Sequence, residues 1–301
     1  MNAPVSLIRR LARVTVGIET RVRQSHPSAA ILGAERSGTG TVVDPEGLVL
    51  TVNYVVVGAE SIEVTLGSGH VYPARLVGQD FRTGIAVLRI EGIPVPCRYP
   101  SPRRSETCRP GEDVVVLASL GGEKRRANNG VITAIEPFDA YWEYRLERAI
   151  FTTAVNPGLG GAPLFDLRGN LLGIVALDLG QIGRFTLAIP IDAFLDARDE
   201  LLAHGHRVSE LPRAWVGLYC YTERDRVIVA GVLPGSPAEA AGLRPGDVIL
   251  AVDEQEVGSR ADLYRSLWKR RPGERVRFRV YRDRQVVSVE VAALSVEEFF
   301  A

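Results

Sequence analysis

Between residues 38 and 191 the chain is mostly a succession of short runs rich in Val, Ile, Leu and Thr, punctuated by turns that carry Gly, Pro and Asp. The runs fall at 40–43, 48–52, 61–66, 71–77, 85–90, 113–118, 130–135, 149–153, 171–177 and 184–189. Strand-length apolar runs at regular spacing cannot bury themselves as helices, and turn residues between them favour a closed or double-layered sheet. The pattern therefore predicts an all-β barrel or sandwich. A helix is expected at 190–203, where Ile191, Phe194, Leu195, Leu201 and Leu202 recur near the helical period. Residues 205–212 are polar, end in Leu211-Pro212 and read as a linker.

The segment before the β-rich stretch constrains location. Leu7, Leu11 and Val14 have the spacing of a short amphipathic helix packed on a core. Arg9, Arg10 and Arg13 break the apolar run, so the secretory pattern of about 7–15 continuous apolar residues is absent. No stretch approaches the ~20 apolar residues that span a bilayer. For a chain starting at Met1 the expected compartment is the cytoplasm, and the periplasm if the natural start lies upstream.

Past the linker the punctuation changes. Ser236 can cap a short helix opened by Pro237, and Gly242 can end it. Pro245-Gly246-Asp247 then turns the chain into a strand at 248–252. A second helix is expected at 261–270, with Leu263 and Leu267 on one face.

A length of 301 residues suggests two domains. With 36 basic and 36 acidic residues the formal charge is zero, which excludes the electrostatic footprint of a nucleic-acid binder. Cys97, Cys108 and Cys220 form no C-x-x-C pair and read as free thiols in packed or partly packed positions. His70 lies in a hairpin turn, Gly67-Ser68-Gly69-His70. His204-Gly205-His206 has no Cys or acidic partners at metal-site spacing, so neither a metal nor a cofactor is expected.

Three segments resemble the HtrA/Deg branch of trypsin-like serine proteases. Asn156-Pro157-Gly158-Leu159-Gly160-Gly161-Ala162-Pro163-Leu164 is similar to that family's nucleophile loop, N-P-G-N-S-G-G-P-L, with Gly160 at the serine. Residues 47–59 resemble G-x-I-L-T-N-x-H-V-V-x-G-A, with Tyr54 at the general-base histidine. Residues 80–88 resemble D-x-x-T-D-L-A-V-L, with Gly84 at the orienting aspartate. A triad needs a nucleophile, an imidazole near neutral pKa and a carboxylate to set its tautomer. Glycine supplies no side chain, and tyrosine, titrating near pH ~10, is a poor base. The resemblance therefore implies a mainly β fold, a trypsin-like double β-barrel, that has lost catalysis: a pseudoprotease. Its oxyanion-hole-like backbone would be the N–H groups of Gly158 and Gly160. The alternative is an active serine endopeptidase with another apparatus, although Ser105 and Ser119 sit in no motif.

Residues 215–294 resemble a C-terminal PDZ domain of the bacterial HtrA type. The match is densest at 233–252, close to V-x-x-G-S-P-A-x-x-A-G-L-x-x-G-D-V-I-x-x-V. Trp215-Val216-Gly217-Leu218 falls at the family's carboxylate-binding loop, where successive N–H groups converge on a peptide terminus. Val216, Leu218, Leu263 and Leu267 are the candidate pocket. The expected domains are 1–204, an inactive protease domain, and 213–301, the PDZ domain. The implied role is peptide or protein binding as adaptor, scaffold, chaperone-like factor or regulator. A homotrimer, or a mixed oligomer with active paralogues, is the implied assembly.

Overall fold

The computed structural model describes residues 4–95, 97–179 and 185–301. Two compact units emerge. One comprises Met1–Pro137 with Glu147–Val208, the other Phe138–Leu146 with Ser209–Ala301. Sequence reading placed all of 1–204 in the first unit. The structure moves 138–146 to the second, because that segment is bound by residues far along the chain.

The first unit opens with α1 (Val5–Ala12), β1 (Thr15–Val22), α2 (Pro27–Leu32), β2 (Glu35–Val42), β3 (Leu48–Val52), α3 (Asn53–Val56), β4 (Ala59–Thr65), β5 (Val71–Asp80) and β6 (Ile85–Ile90). These strands close a barrel in the order β1-β2-β3-β6-β5-β4. It continues with β7 (Asp113–Ser119), β8 (Arg125–Asp139), β9 (Arg145–Thr152), β10 (Pro163–Asp166), β11 (Leu171–Asp178) and β12 (Thr186–Pro190). They close a second barrel, ordered β10-β11-β12-β9-β8-β7. Closure leaves no edge strand exposed and lets the Val-, Ile- and Leu-rich runs bury their inner faces. Val114, Val116, Ile132, Ile150, Leu164 and Leu172 share one such core. α4 (Asp192–His204) follows, ended by Gly205 in a left-handed conformation.

Several expectations are corrected in detail. α1 buries Leu7 and Leu11, but Val14 lies beyond its end, and the residues after it form the first barrel strand, paired with β2 and β4. β1 hides in the sequence because the arginines around it mask its alternation. β10 carries little sequence signal because it has only 4 residues and opens on a proline. Along α4, Phe194, Ala197 and Leu201 are buried, whereas Leu195 and Leu202 are only partly so. The expected start of the last barrel strand at Arg184 lies outside the described residues.

The second unit holds β13 (Leu218–Glu223), β14 (Arg226–Val232), α5 (Pro237–Ala240), β15 (Val248–Val252), β16 (Gln255–Glu256), α6 (Arg260–Leu267), β17 (Arg275–Arg282), β18 (Gln285–Ala292) and α7 (Val296–Phe299). Its sheet runs β13-β14-β15-β17-β18, with β16 paired to β15, so β13 stands at an edge. Ser236 accepts the Glu239 N–H and caps α5 as the sequence suggests. α6 is shorter than expected, starting at the Ser259 cap and ending before Trp268. Its Leu263, Tyr264 and Leu267 meet Val216, Leu218, Val252 and Phe278 in one core.

Candidate functional site

The first candidate site grows from the β3–β6 pairing. The register Val52↔Ile85 brings the start of α3 beside the turn before β6, and the Asn53 N–H donates to the Gly84 carbonyl at 2.8 Å. That turn is tied by Asp80, whose buried carboxylate accepts from Arg82 N–H (3.0 Å), Thr83 Oγ1 (2.7 Å) and Arg207 Nε (2.9 Å). Gly84 closes it at φ 82°, in the left-handed region that glycine enters without strain. Arg36, buried in β2, donates to the carbonyls of Tyr54 (3.1 Å) and Val57 (2.9 Å) and holds α3 in place.

Tyr54 thus points at the loop 156–161. Its hydroxyl donates to the Ala176 carbonyl at 2.9 Å. A Cβ built on Gly160 would lie 2.0 Å from that hydroxyl oxygen and 3.0 Å from Cζ. The phenol fills the volume a side chain at 160 needs. Burial pushes the Tyr54 hydroxyl up to about 12, away from the range of a base at neutral pH. The three positions read from sequence are therefore gathered, Tyr54 against Gly160 and Gly84 behind Asn53.

Three of the loop's N–H groups and two of its carbonyls are turned to internal partners. Gly158 N–H meets Asn156 Oδ1 (3.3 Å), Leu159 N–H meets the Ser119 carbonyl (3.0 Å), and Gly161 N–H meets the Val175 carbonyl (2.9 Å). Thr39 binds the loop twice, its N–H to Gly160 O (2.7 Å) and its Oγ1 to Leu159 O (2.8 Å). Ser119 is buried, its Oγ accepting from Gly121 N–H and Arg125. Ser28 lies 2.7 Å from His26 Nδ1, but it is buried, accepts from Arg36 and donates to Val57 O. His26 itself caps α2. That pair is structural. Among the described residues no group of three or more His, Cys, Asp and Glu side chains gathers as a metal site.

The second candidate site is the Trp215–Leu218 loop. Glu143 occupies it: its carboxyl group accepts from Val216 N–H (Oε2, 3.0 Å) and from Gly217 and Leu218 N–H (Oε1, both 2.7 Å). Gly217 makes the cradle possible. It sits at φ 87°, and a Cβ there would lie 2.3 Å from Ser236 Cβ. Val216, Leu218, Leu263 and Leu267 are wholly or nearly wholly buried in the core of the unit. Trp215 bridges to Leu294, and its ring packs on Phe299 and Phe300, at 4.7 and 6.3 Å between centroids.

Against known proteins, a family model described as "Trypsin-like peptidase domain" matches residues 38–174, and one described as "PDZ domain" matches residues 214–293. The chain is 31% identical over 285 residues to a "Probable periplasmic serine endoprotease DegP-like" of Hahella chejuensis. It is 32% identical over 277 residues to a protein of the same name from Pseudomonas savastanoi pv. phaseolicola. These matches take in 88% and 85% of this chain, but 59% and 56% of the relatives, so the chain spans little more than half their length. Among solved structures, the HtrA-type protease AlgW with a tripeptide is similar, with TM-score 0.58, 28% identity, and 96% and 95% of the two chains covered. AlgW with a decapeptide gives 0.56, 28%, 96% and 97%. The chain is an HtrA/DegP homologue, a trypsin-like peptidase domain followed by a PDZ domain.

Two findings bear on what was expected of this HtrA/DegP homologue. The relatives are named periplasmic, which gives no support to the cytoplasmic expectation drawn from the N-terminal segment. No helix among the described residues is long and apolar enough to cross a membrane. The other is Glu143. One carboxylate in an aromatic turn carries no motif, and its partners lie more than seventy positions away.

Burial pushes Glu143 up to about 7, outweighing three N–H donors that pull the other way. Its folded value thus exceeds the unfolded one, and between pH 4.5 and about 7 the folded chain holds a proton that the unfolded chain has lost. Stability from this group is greatest below that window and falls as pH rises through it, by at most about 1.4 kcal/mol per pH unit. Cys220, Tyr219 and Tyr264 nearby are pushed upward by burial and stay neutral throughout. Urea melts of the wild type and Glu143→Gln should therefore show the wild type losing ground relative to the variant between pH 4.5 and 7. A gap that stays constant would contradict this assignment.

Proposed function

We propose that this chain is a catalytically inactive HtrA-like protein that binds peptides or protein C-termini through its PDZ domain. The observation that carries the inactive reading is the contact between Tyr54 and Gly160: a phenol fills the space where a nucleophile's side chain would stand. Gly84 supplies no carboxylate to orient a base. The binding reading is supported by the Trp215–Leu218 loop, whose consecutive N–H groups converge on one carboxyl group. Such a molecule acts as adaptor, scaffold, chaperone-like factor or regulator, as a homotrimer or mixed with active paralogues. We place it in the periplasm with its named relatives.

The rival reading is an active serine endopeptidase with a different apparatus, favoured by the relatives being named endoproteases. Purified protein should neither degrade unfolded casein nor take up a fluorophosphonate probe. Stoichiometric labelling of one serine, with casein turnover lost on its mutation, would establish the rival.

A further inference from the structure

The segment joining β8 to β9 lies along the exposed edge of β13. Cys220 N–H donates to the Tyr141 carbonyl at 2.6 Å, and Trp142 forms an antiparallel bridge with Tyr219. From α6, the buried Tyr264 hydroxyl reaches the carbonyls of Ala140 and Trp142, both at 2.7 Å. The Tyr141 ring packs on Tyr219 at 5.8 Å and on Trp142 at 4.8 Å. At the end of this short strand the Glu143 carboxyl group sits on the three N–H groups of the Val216–Leu218 loop.

Those contacts take up three things that an added peptide strand would use: the β13 edge at Tyr219 and Cys220, the Tyr264 hydroxyl on α6 and the anion cradle. The difference lies in which carboxyl group is used. A docked peptide presents its main-chain terminus, whereas Glu143 presents a side chain while the backbone continues into β9. A cradle that already holds one carboxyl group has no N–H left for a second, so occupancy of the two is mutually exclusive.

We propose that residues 140–143 are a ligand in cis that closes the PDZ groove, and that peptides with a free C-terminal carboxylate bind by displacing them. The proposal rests on the peptide-binding reading above and adds its regulation. An incoming peptide binds only the fraction of molecules whose groove is open, so the apparent Kd is the intrinsic one divided by that fraction. Displacement also releases Tyr141 and Trp142 from β13, so a bound peptide would alter the β8–β9 connection.

The test titrates the full chain, its Glu143→Ala and its Glu143→Gln variant with a labelled decapeptide ending in valine, and with the C-terminally amidated twin. Glu143→Ala should bind the free-carboxylate peptide about ten-fold or more tighter than wild type, as expected for a groove closed roughly nine-tenths of the time. Glu143→Gln keeps the volume and one acceptor oxygen and should fall between; it carries the test if the alanine variant melts early. In the wild type, saturating free-carboxylate peptide should raise chymotrypsin cleavage after Tyr141 and Trp142, and the amidated peptide should not. Equal affinity of wild type and variants, with amidation still abolishing binding, would overturn the cis ligand and leave the PDZ reading standing. Failure of all three proteins to discriminate amidated from free peptide would overturn the PDZ reading itself.

Discussion

Gly160→Ala should destabilise the protein markedly, and Tyr54→Ala should remove that cost. A methyl group at 160 would lie 2.0 Å from the Tyr54 hydroxyl oxygen and 3.0 Å from Cζ, closer than real side-chain carbons come. The tyrosine is not a flexible tip that swings away cheaply, because its ring is stiff and its hydroxyl is fastened to Ala176. Overpacking of this kind costs about 1–3 kcal/mol, which in a chain of this size lowers Tm by roughly 2–5 °C. In a Tyr54→Ala background the space is empty, and Gly160→Ala should cost almost nothing. A double-mutant cycle by thermal melts measures the difference, expected at about 1–3 kcal/mol for groups in direct contact. Equal costs in both backgrounds would mean that Tyr54 does not fill the site.

Placing the three triad side chains at these positions should not give proteolysis. In the Tyr54→His, Gly84→Asp, Gly160→Ser variant the shorter imidazole relieves the clash at 160, so the protein should fold. Three obstacles remain. The aspartate must adopt the φ of 82° that Gly84 has now, where a side chain is strained and its direction is set by the turn. Gly158 N–H, one of the two expected oxyanion donors, is engaged by Asn156 Oδ1. Leu159 N–H is engaged by Ser119 O, which together with Thr39 holds the loop in its present path. Loss of a single oxyanion donor costs about 10²–10³ in rate where it has been measured, and misplacement of the base adds to that. Casein turnover by the triple variant should stay at the background of the unmodified chain. Efficient turnover would show that the loop still offers its donors and that three side chains were all that separated this protein from an active protease.

The fold was legible because its signals are local. Runs such as Leu48–Val52 and Ile85–Ile90 were bounded correctly by their turn residues, and Ser236, Pro237 and Gly242 marked α5 by capping chemistry alone. Where weak signals lie side by side the pattern is ambiguous: the helical spacing of Leu7 and Leu11 in α1 runs directly into β1, whose own alternation is weak. Helical periodicity also exaggerated the buried face of α4, since Ala197 rather than Leu195 or Leu202 meets the core.

The candidate sites divide in the same manner. That Gly160 cannot attack and Gly84 cannot orient follows from covalent structure, and no folding can add the missing atoms. The sequence by itself therefore determined which chemistry these positions lack, and the glycine of the Trp215–Leu218 loop marked a backbone able to turn its N–H groups inward. What fills the gaps was decided by tertiary structure alone. Tyr54 meets residues more than a hundred positions away, and Glu143 meets its three donors from more than seventy. Contacts of that separation are set by packing of the first barrel on the second and by docking of the β8–β9 segment on β13. They leave no periodicity or spacing in the chain to be read beforehand.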